Sequence, residues 1–134
     1  MGTPQIFISH AFADRSWARD FAEALHRFDV DVWLDDFRIK PGDSISDLFE
    51  KGLRGSDIVV LLINQESLTQ PNLFFEYGAA SAMNKKIVPI VSEEVTASEL
   101  PAGILSRKYL IRKSPEETAR ELATGLELPQ TEAA

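Results

Sequence analysis

The run Ile58-Val59-Val60-Leu61-Leu62-Ile63 constrains this chain more than any other feature. A strand with one wet face alternates apolar and polar residues; this one does not alternate, so it needs cover on both faces, as strands of a parallel sheet do. Related short apolar or β-branched runs bounded by turn residues occur at Gln5–Ser9, Val30–Leu34, Ile87–Val91 and Tyr109–Ile111. The spacing predicts five strands.

Helical patterns fill most of the gaps. Trp17, Phe21 and Leu25 recur at four-residue spacing after Ser16, read here as an N-cap, and Ile45, Leu48, Phe49 and Leu53 follow Ser44 in the same way. An Ala-rich helix is predicted from Asn72 to Asn84. Ser114-Pro115-Glu116-Glu117 sets an N-cap, a Pro at the first helical position and a capping-box Glu ahead of Ala119, Leu122 and Leu126. Between Ser92 and Arg107 the pattern supports only a short helix broken by Pro101 and Gly103. Alternating β and α with right-handed crossovers gives an α/β fold: a flavodoxin-like, doubly wound sheet of five parallel strands with helices on both faces. The strand order 2-1-3-4-5 comes from fold precedent, not from any residue.

With 134 residues, 44% of them hydrophobic, the chain fits one domain and one core. The core spans about 4–127, and 128–134 reads as a tail. A formal charge of −7 argues against direct nucleic-acid binding, which draws on clustered Lys and Arg. The absence of cysteine excludes disulfides, thiol nucleophiles and Cys-based metal sites and makes a reducing cytoplasm the default expectation. No apolar run reaches the roughly 20 residues needed to cross a bilayer, so no membrane association is expected.

In a sheet of this order, ligands bind beyond the carboxyl ends of the strands at the switch point between the first and third. Two loops fall there: Ser9-His10-Ala11-Phe12-Ala13-Asp14, and the stretch from Asn64 to Glu76. Neither carries a Gly-rich phosphate fingerprint, which argues against a dinucleotide dehydrogenase or a P-loop enzyme. His10 and His26 are the only histidines and lack the spacing of a metal pair, so no metal is expected. In Asn72-Leu73-Phe74-Phe75-Glu76-Tyr77-Gly78-Ala79-Ala80 a carboxylate sits near a helix start between aromatic residues. Apolar flanks would raise its pKa and the helix N-terminus would lower it. On local chemistry alone, a Glu that simply favours the helix start is the preferred account.

The chain as a whole resembles the TIR (Toll/interleukin-1 receptor) family, its bacterial members above all, over roughly residues 4–127. Ile6-Phe7-Ile8-Ser9-His10 with Asp14 resembles the family's first-strand box. Val32-Trp33-Leu34-Asp35-Asp36, then Ile39-Lys40-Pro41-Gly42-Asp43-Ser44-Ile45, resembles the second strand and the BB loop with its Pro-Gly turn. Ser56-Asp57, Asn64, Ser67 and Asn72 to Ala80 resemble the bacterial third box. The resemblance implies that Glu76 is the essential carboxylate for cleaving the nicotinamide–ribose bond of NAD, with NAD as substrate and no cofactor. It further implies that His10, Ala11 and Phe12 border the nicotinamide side, and that Ser9, Asp35, Ser44 and Asn72 also bind the substrate. Core packing is an equal account of Phe12, loop capping an equal account of Asp35, and a solvated loop the favoured account of Arg38. Many catalytic members carry Trp where this chain has Asn72.

Two functions compete. One is an NAD-cleaving effector, producing ADP-ribose or a cyclic isomer, switched on by self-association and serving a fused or partner sensor domain, in the manner of innate-immune signalling and antiphage defence. The other is a non-catalytic scaffold of homotypic TIR–TIR contacts through the BB loop Asp36, Phe37, Arg38, Ile39, Lys40, Pro41, Gly42 and Asp43. Glu76 favours the first, because a scaffold has no need of it. A transferase acting on nucleosides with the same Glu as nucleophile ranks below both.

Overall fold

A computed structural model describes residues 4–34, 51–66, 68, 84–100, 104 and 108–126, with Phe12 described by its backbone alone. Five parallel strands form one sheet: β1 (Gln5–Ser9), β2 (Asp31–Leu34), β3 (Ile58–Ile63), β4 (Lys86–Val91) and β5 (Leu110–Ile111). Their order is β2-β1-β3-β4-β5, as expected from precedent. Strand ends differ from the sequence reading by a residue at β2, β4 and β5. Parallel pairing sets Phe7 beside Trp33 and Val59, and Val59 beside Ile87.

All of β3 is buried, and alternate residues separate onto two apolar layers. Ile6, Ile8, Ile58, Val60, Leu62, Val88 and Ile90 face one side, where helices α1 (Arg15–Leu25) and α2 (Pro115–Gly125) cover them. Phe7, Val59, Leu61, Ile63, Ile87 and Val91 face the other, against Leu53, Val95, Leu100 and Ile104. A central strand with two dry faces has no polar position to alternate with, which is why its sequence is continuously apolar. Pro89, which has no N–H to donate, lies just before the short stretch of β4 that β5 covers, where β4 is still the edge of the sheet.

Phe21 and Leu25 of α1 are fully buried and Trp17 packs at the rim, its ring stacked on Phe21 at a centroid distance of 5.0 Å. The expected N-cap at Ser16 is corrected: α1 begins at Arg15 and Asp14 is the N-cap, with no side-chain capping bond. The reason is that Asp14 uses its carboxylate elsewhere. For α2 the N-cap and the first-turn Pro stand as read, with Pro115 in the first turn and Ser114 Oγ accepting from the Glu117 N–H at 3.1 Å, but the expected capping box is corrected. Glu117 answers by accepting from the Ser114 hydroxyl at 3.2 Å, not from its backbone N–H.

Residues 51–54 are helical, the end of the helix predicted after Ser44. The helix predicted over Asn72–Asn84 lies outside the described residues, apart from Asn84, which takes φ 58°. Past β4, Ala97–Glu99 forms one 3-10 turn. Among the described residues, no helix is long and apolar enough to cross a membrane.

Candidate active site

The switch point lies where β1 is flanked by β2 and β3, so the crossovers leave it in opposite directions and open a crevice beyond the strand ends. Ser9, buried, closes β1, followed by half-buried His10 and buried Ala11. A 3-10 turn over Phe12–Asp14, in which the Asp14 N–H donates to the Ala11 carbonyl at 2.9 Å, then turns the chain into α1. The structure thus brings Ser9, His10, Ala11 and the Phe12 backbone to the expected edge. The proposed catalytic Glu76, Asn72, Asp35, Ser44 and BB-loop residues Asp36 to Asp43 all lie outside the described residues.

At the same edge stands a polar cluster only partly flagged by sequence. Asn64, Ser92 and Arg112 are the residues that follow β3, β4 and β5. They continue the alternation of Leu62, Ile90 and Leu110, so they lie on the α1/α2 side. Asp14 gathers them. Its Oδ2 accepts from Asn64 Nδ2 at 2.7 Å, and its Oδ1 and Oδ2 accept from Arg112 Nη1 and Nη2 at 2.8 and 3.4 Å. Both partners of the ion pair are about nine-tenths covered, with side chains 12% and 10% exposed, so losing either would strand a buried charge at a cost of about 3–5 kcal/mol. The Arg112 guanidinium also lies 5.0 Å from the Trp17 ring centroid, a cation–π contact. Trp17 Nε1 donates to the Lys113 carbonyl at 3.1 Å, and the Arg112 N–H reaches the Val91 carbonyl at 2.8 Å.

Together with Ser92, Lys113 and Glu117, these residues line an open cleft of about 700 Å³. Next to it, Gln65 Nε2 donates to Glu99 Oε2 at 3.2 Å, and Glu99 accepts from the Thr96 N–H at 2.9 Å. That backbone hydrogen bond, then the Thr96 hydroxyl, holds the Glu99 carboxyl below its ordinary range.

Asn64 and Arg112 between them engage both oxygens of Asp14, so its carboxylate is committed to holding the cluster together. Buried Ser9 and half-buried His10 bring a hydroxyl and an imidazole to the carboxyl end of β1. Among the described residues no group of three or more His, Cys, Asp or Glu could hold a metal ion. Arg112 and Trp17 escaped the sequence reading as site residues; their one signal was an Arg placed directly after the last strand.

Set against known proteins, a family model described as the TIR domain matches residues 6–125. A 2′ cyclic ADP-D-ribose synthase of Acinetobacter baumannii is 34% identical over 90 residues, covering 63% of this chain and 34% of the relative. An NAD(+) hydrolase of Paracoccus denitrificans is 34% identical over 107 residues, covering 72% and 35%. The chain therefore spans about a third of the length of these curated relatives. In structure it is similar to the TIR domain of a Toll-related receptor of Hydra magnipapillata, with a TM-score of 0.70 at 15% identity, covering 91% of this chain and 93% of that one. Fold, strand order and a family match across residues 6–125 agree: the chain belongs to the TIR domain family.

Proposed function

We propose that this TIR domain cleaves the nicotinamide–ribose bond of NAD, with Glu76 as its essential carboxylate. The observation that carries the reading is that of two bacterial relatives, each 34% identical, one is named an NAD(+) hydrolase and the other a 2′ cyclic ADP-D-ribose synthase. It is supported by the Glu-Tyr-Gly-Ala-Ala run at Glu76 and by the arrival of Ser9 and His10 at the crevice beside β3.

The chemistry needs little machinery. The C1′–N bond breaks heterolytically and nicotinamide leaves as a neutral molecule, because it is already cationic in NAD; no general acid is required. Ribose C1′ develops oxocarbenium character, and a nearby carboxylate stabilises that charge and holds the ribose hydroxyls. Water adding at C1′ gives ADP-ribose and releases one proton; a nucleophilic atom of the same substrate's adenine adding there gives a cyclic isomer. Self-association completes the site by docking the Pro41-Gly42 loop on a neighbouring copy, and a sensor domain, fused or recruited, drives that assembly.

The test is nicotinamide release by the artificially clustered domain, with products separated by chromatography and Glu76→Gln run beside it. Glu76→Gln keeps shape and removes charge, so release should fall by about 10²–10³-fold, as when one preorganised electrostatic stabiliser is lost. Release should also rise more steeply than in proportion to protein concentration. Absence of release from demonstrably assembled wild-type protein would assign the domain to scaffolding instead.

A further inference from the structure

Asp14 occupies the N-cap of α1, where an aspartate normally accepts from the first free helix N–H groups. Here it makes no such bond. Its carboxylate is diverted to Asn64, 50 residues on, and to Arg112, 98 residues on. The three residues belong to three different strand ends, and two of those ends start the loops assigned to the site: residues 10–14 after β1 and the stretch from Asn64 toward Glu76. The far side of the cluster is anchored, since Arg112 is held by the Trp17 ring and by its own backbone bond to Val91. The Asn64 carbonyl also accepts from the Leu68 N–H at 3.3 Å, so the first turn of the second loop starts from the tethered residue.

We propose that Asp14 is a positioning residue that, through Asn64 and Arg112, locks the loop after β1 against the residues that leave β3, 64–66. A pair serving stability alone would need only Arg112. The additional tie to Asn64 joins the loop after β1 to the start of the loop after β3, so what it holds constant is the placement of residues 10–14 against 64–66. Misplacing reacting groups by an ångström is enough to cost about two orders of magnitude in rate.

The activity arm of the test rests on the NAD-cleavage reading. Asp14→Asn alone leaves Arg112 buried without its counter-ion and risks the fold, so the main variant is Asn64→Asp, which keeps shape and sets two carboxylates against each other across the 2.7 Å contact. Nicotinamide release should fall about 10–100-fold in kcat, with KM for NAD within about threefold. Asn64→Ala, which removes the amide without adding a charge and leaves the Asp14–Arg112 pair in place, should lower kcat in the same direction. Glu121→Gln, which breaks the exposed 2.8 Å pair with Lys113 near the same strand end, should leave kcat unchanged. Folded Asn64→Asp or Asn64→Ala protein with wild-type kcat overturns the proposal. Should wild-type protein release no nicotinamide, the NAD reading fails and hydrogen exchange decides this one alone. In Asn64→Asp, amides of residues 10–14 and 64–66 should exchange faster while those of 6–8 and 58–63 stay protected; unchanged or uniformly faster exchange overturns it.

Discussion

Gly52 shows how a missing side chain shapes the layer beneath the sheet. A Cβ there would stand 2.5 Å from Trp33 Nε1 and 2.6 Å from Cε2, inside the indole's own contact surface. The ring cannot easily withdraw, because Trp33 packs against the cluster that contains Phe7 and Leu53. The Gly52 carbonyl meanwhile accepts from the Ser56 hydroxyl at 2.6 Å, and Ser56 accepts from Gln5 Nε2 at 2.9 Å, so the backbone is held as well. Gly52→Ala should therefore destabilise the domain by about 1–3 kcal/mol through overpacking, outweighing the gain of up to about 1 kcal/mol in helix propensity. Chemical denaturation followed by Trp fluorescence checks this; a stabilised variant would mean that the indole moves aside freely. The Ser56-Asp57 pair noted in the sequence belongs to this setting: Asp57 accepts from the Gln5 N–H at 3.0 Å and ties β1 to β3 at their amino ends, away from the candidate site.

Among the elements, the turn Ala97–Glu99 depends on charge. Glu99 closes it by accepting from both the N–H and the hydroxyl of Thr96, bonds that favour the ionised carboxyl and lower its pKa from the ordinary 4.5. A lowered folded-state pKa contributes stability that is present above the unfolded value and lost as pH falls through the folded one. The Thr96 amide should thus stay hydrogen-bonded down to pH 4.5 and release below it, which its NMR shift reports on acid titration. A midpoint above that value would contradict the bonding described. Helix α2 illustrates the opposite case, in which Ser114, Pro115 and Glu117 are neighbours in sequence and the N-cap forms as the local pattern predicts.

At the scale of the whole molecule, stability concentrates in β3. Leu61 is fully buried at the centre of the sheet, so Leu61→Ala should cost about 2–5 kcal/mol, a large share of the 5–15 kcal/mol typical of a domain. Ile111, 42% exposed on the last strand, should tolerate Ala within about 0.5 kcal/mol; equal losses in urea unfolding would refute the two-sided core as the seat of stability. The strands and α2 were legible in the sequence because they rest on local periodicity and capping: an unbroken apolar run requires two dry faces wherever it sits. The position of Ser9 and His10 at the switch-point end of β1 was legible once the order 2-1-3-4-5 is granted. The role of Asp14 was not. Spacing after a strand made it look like a motif residue beside a helix start, whereas its partners lie 50 and 98 residues away. They meet it only because β3 and β5 end on the same edge and, by alternation, present Asn64 and Arg112 to the same face. Local pattern thus determined which segments are strands and where α2 begins; register and strand order, set by packing of distant segments, decided which side chains share a site.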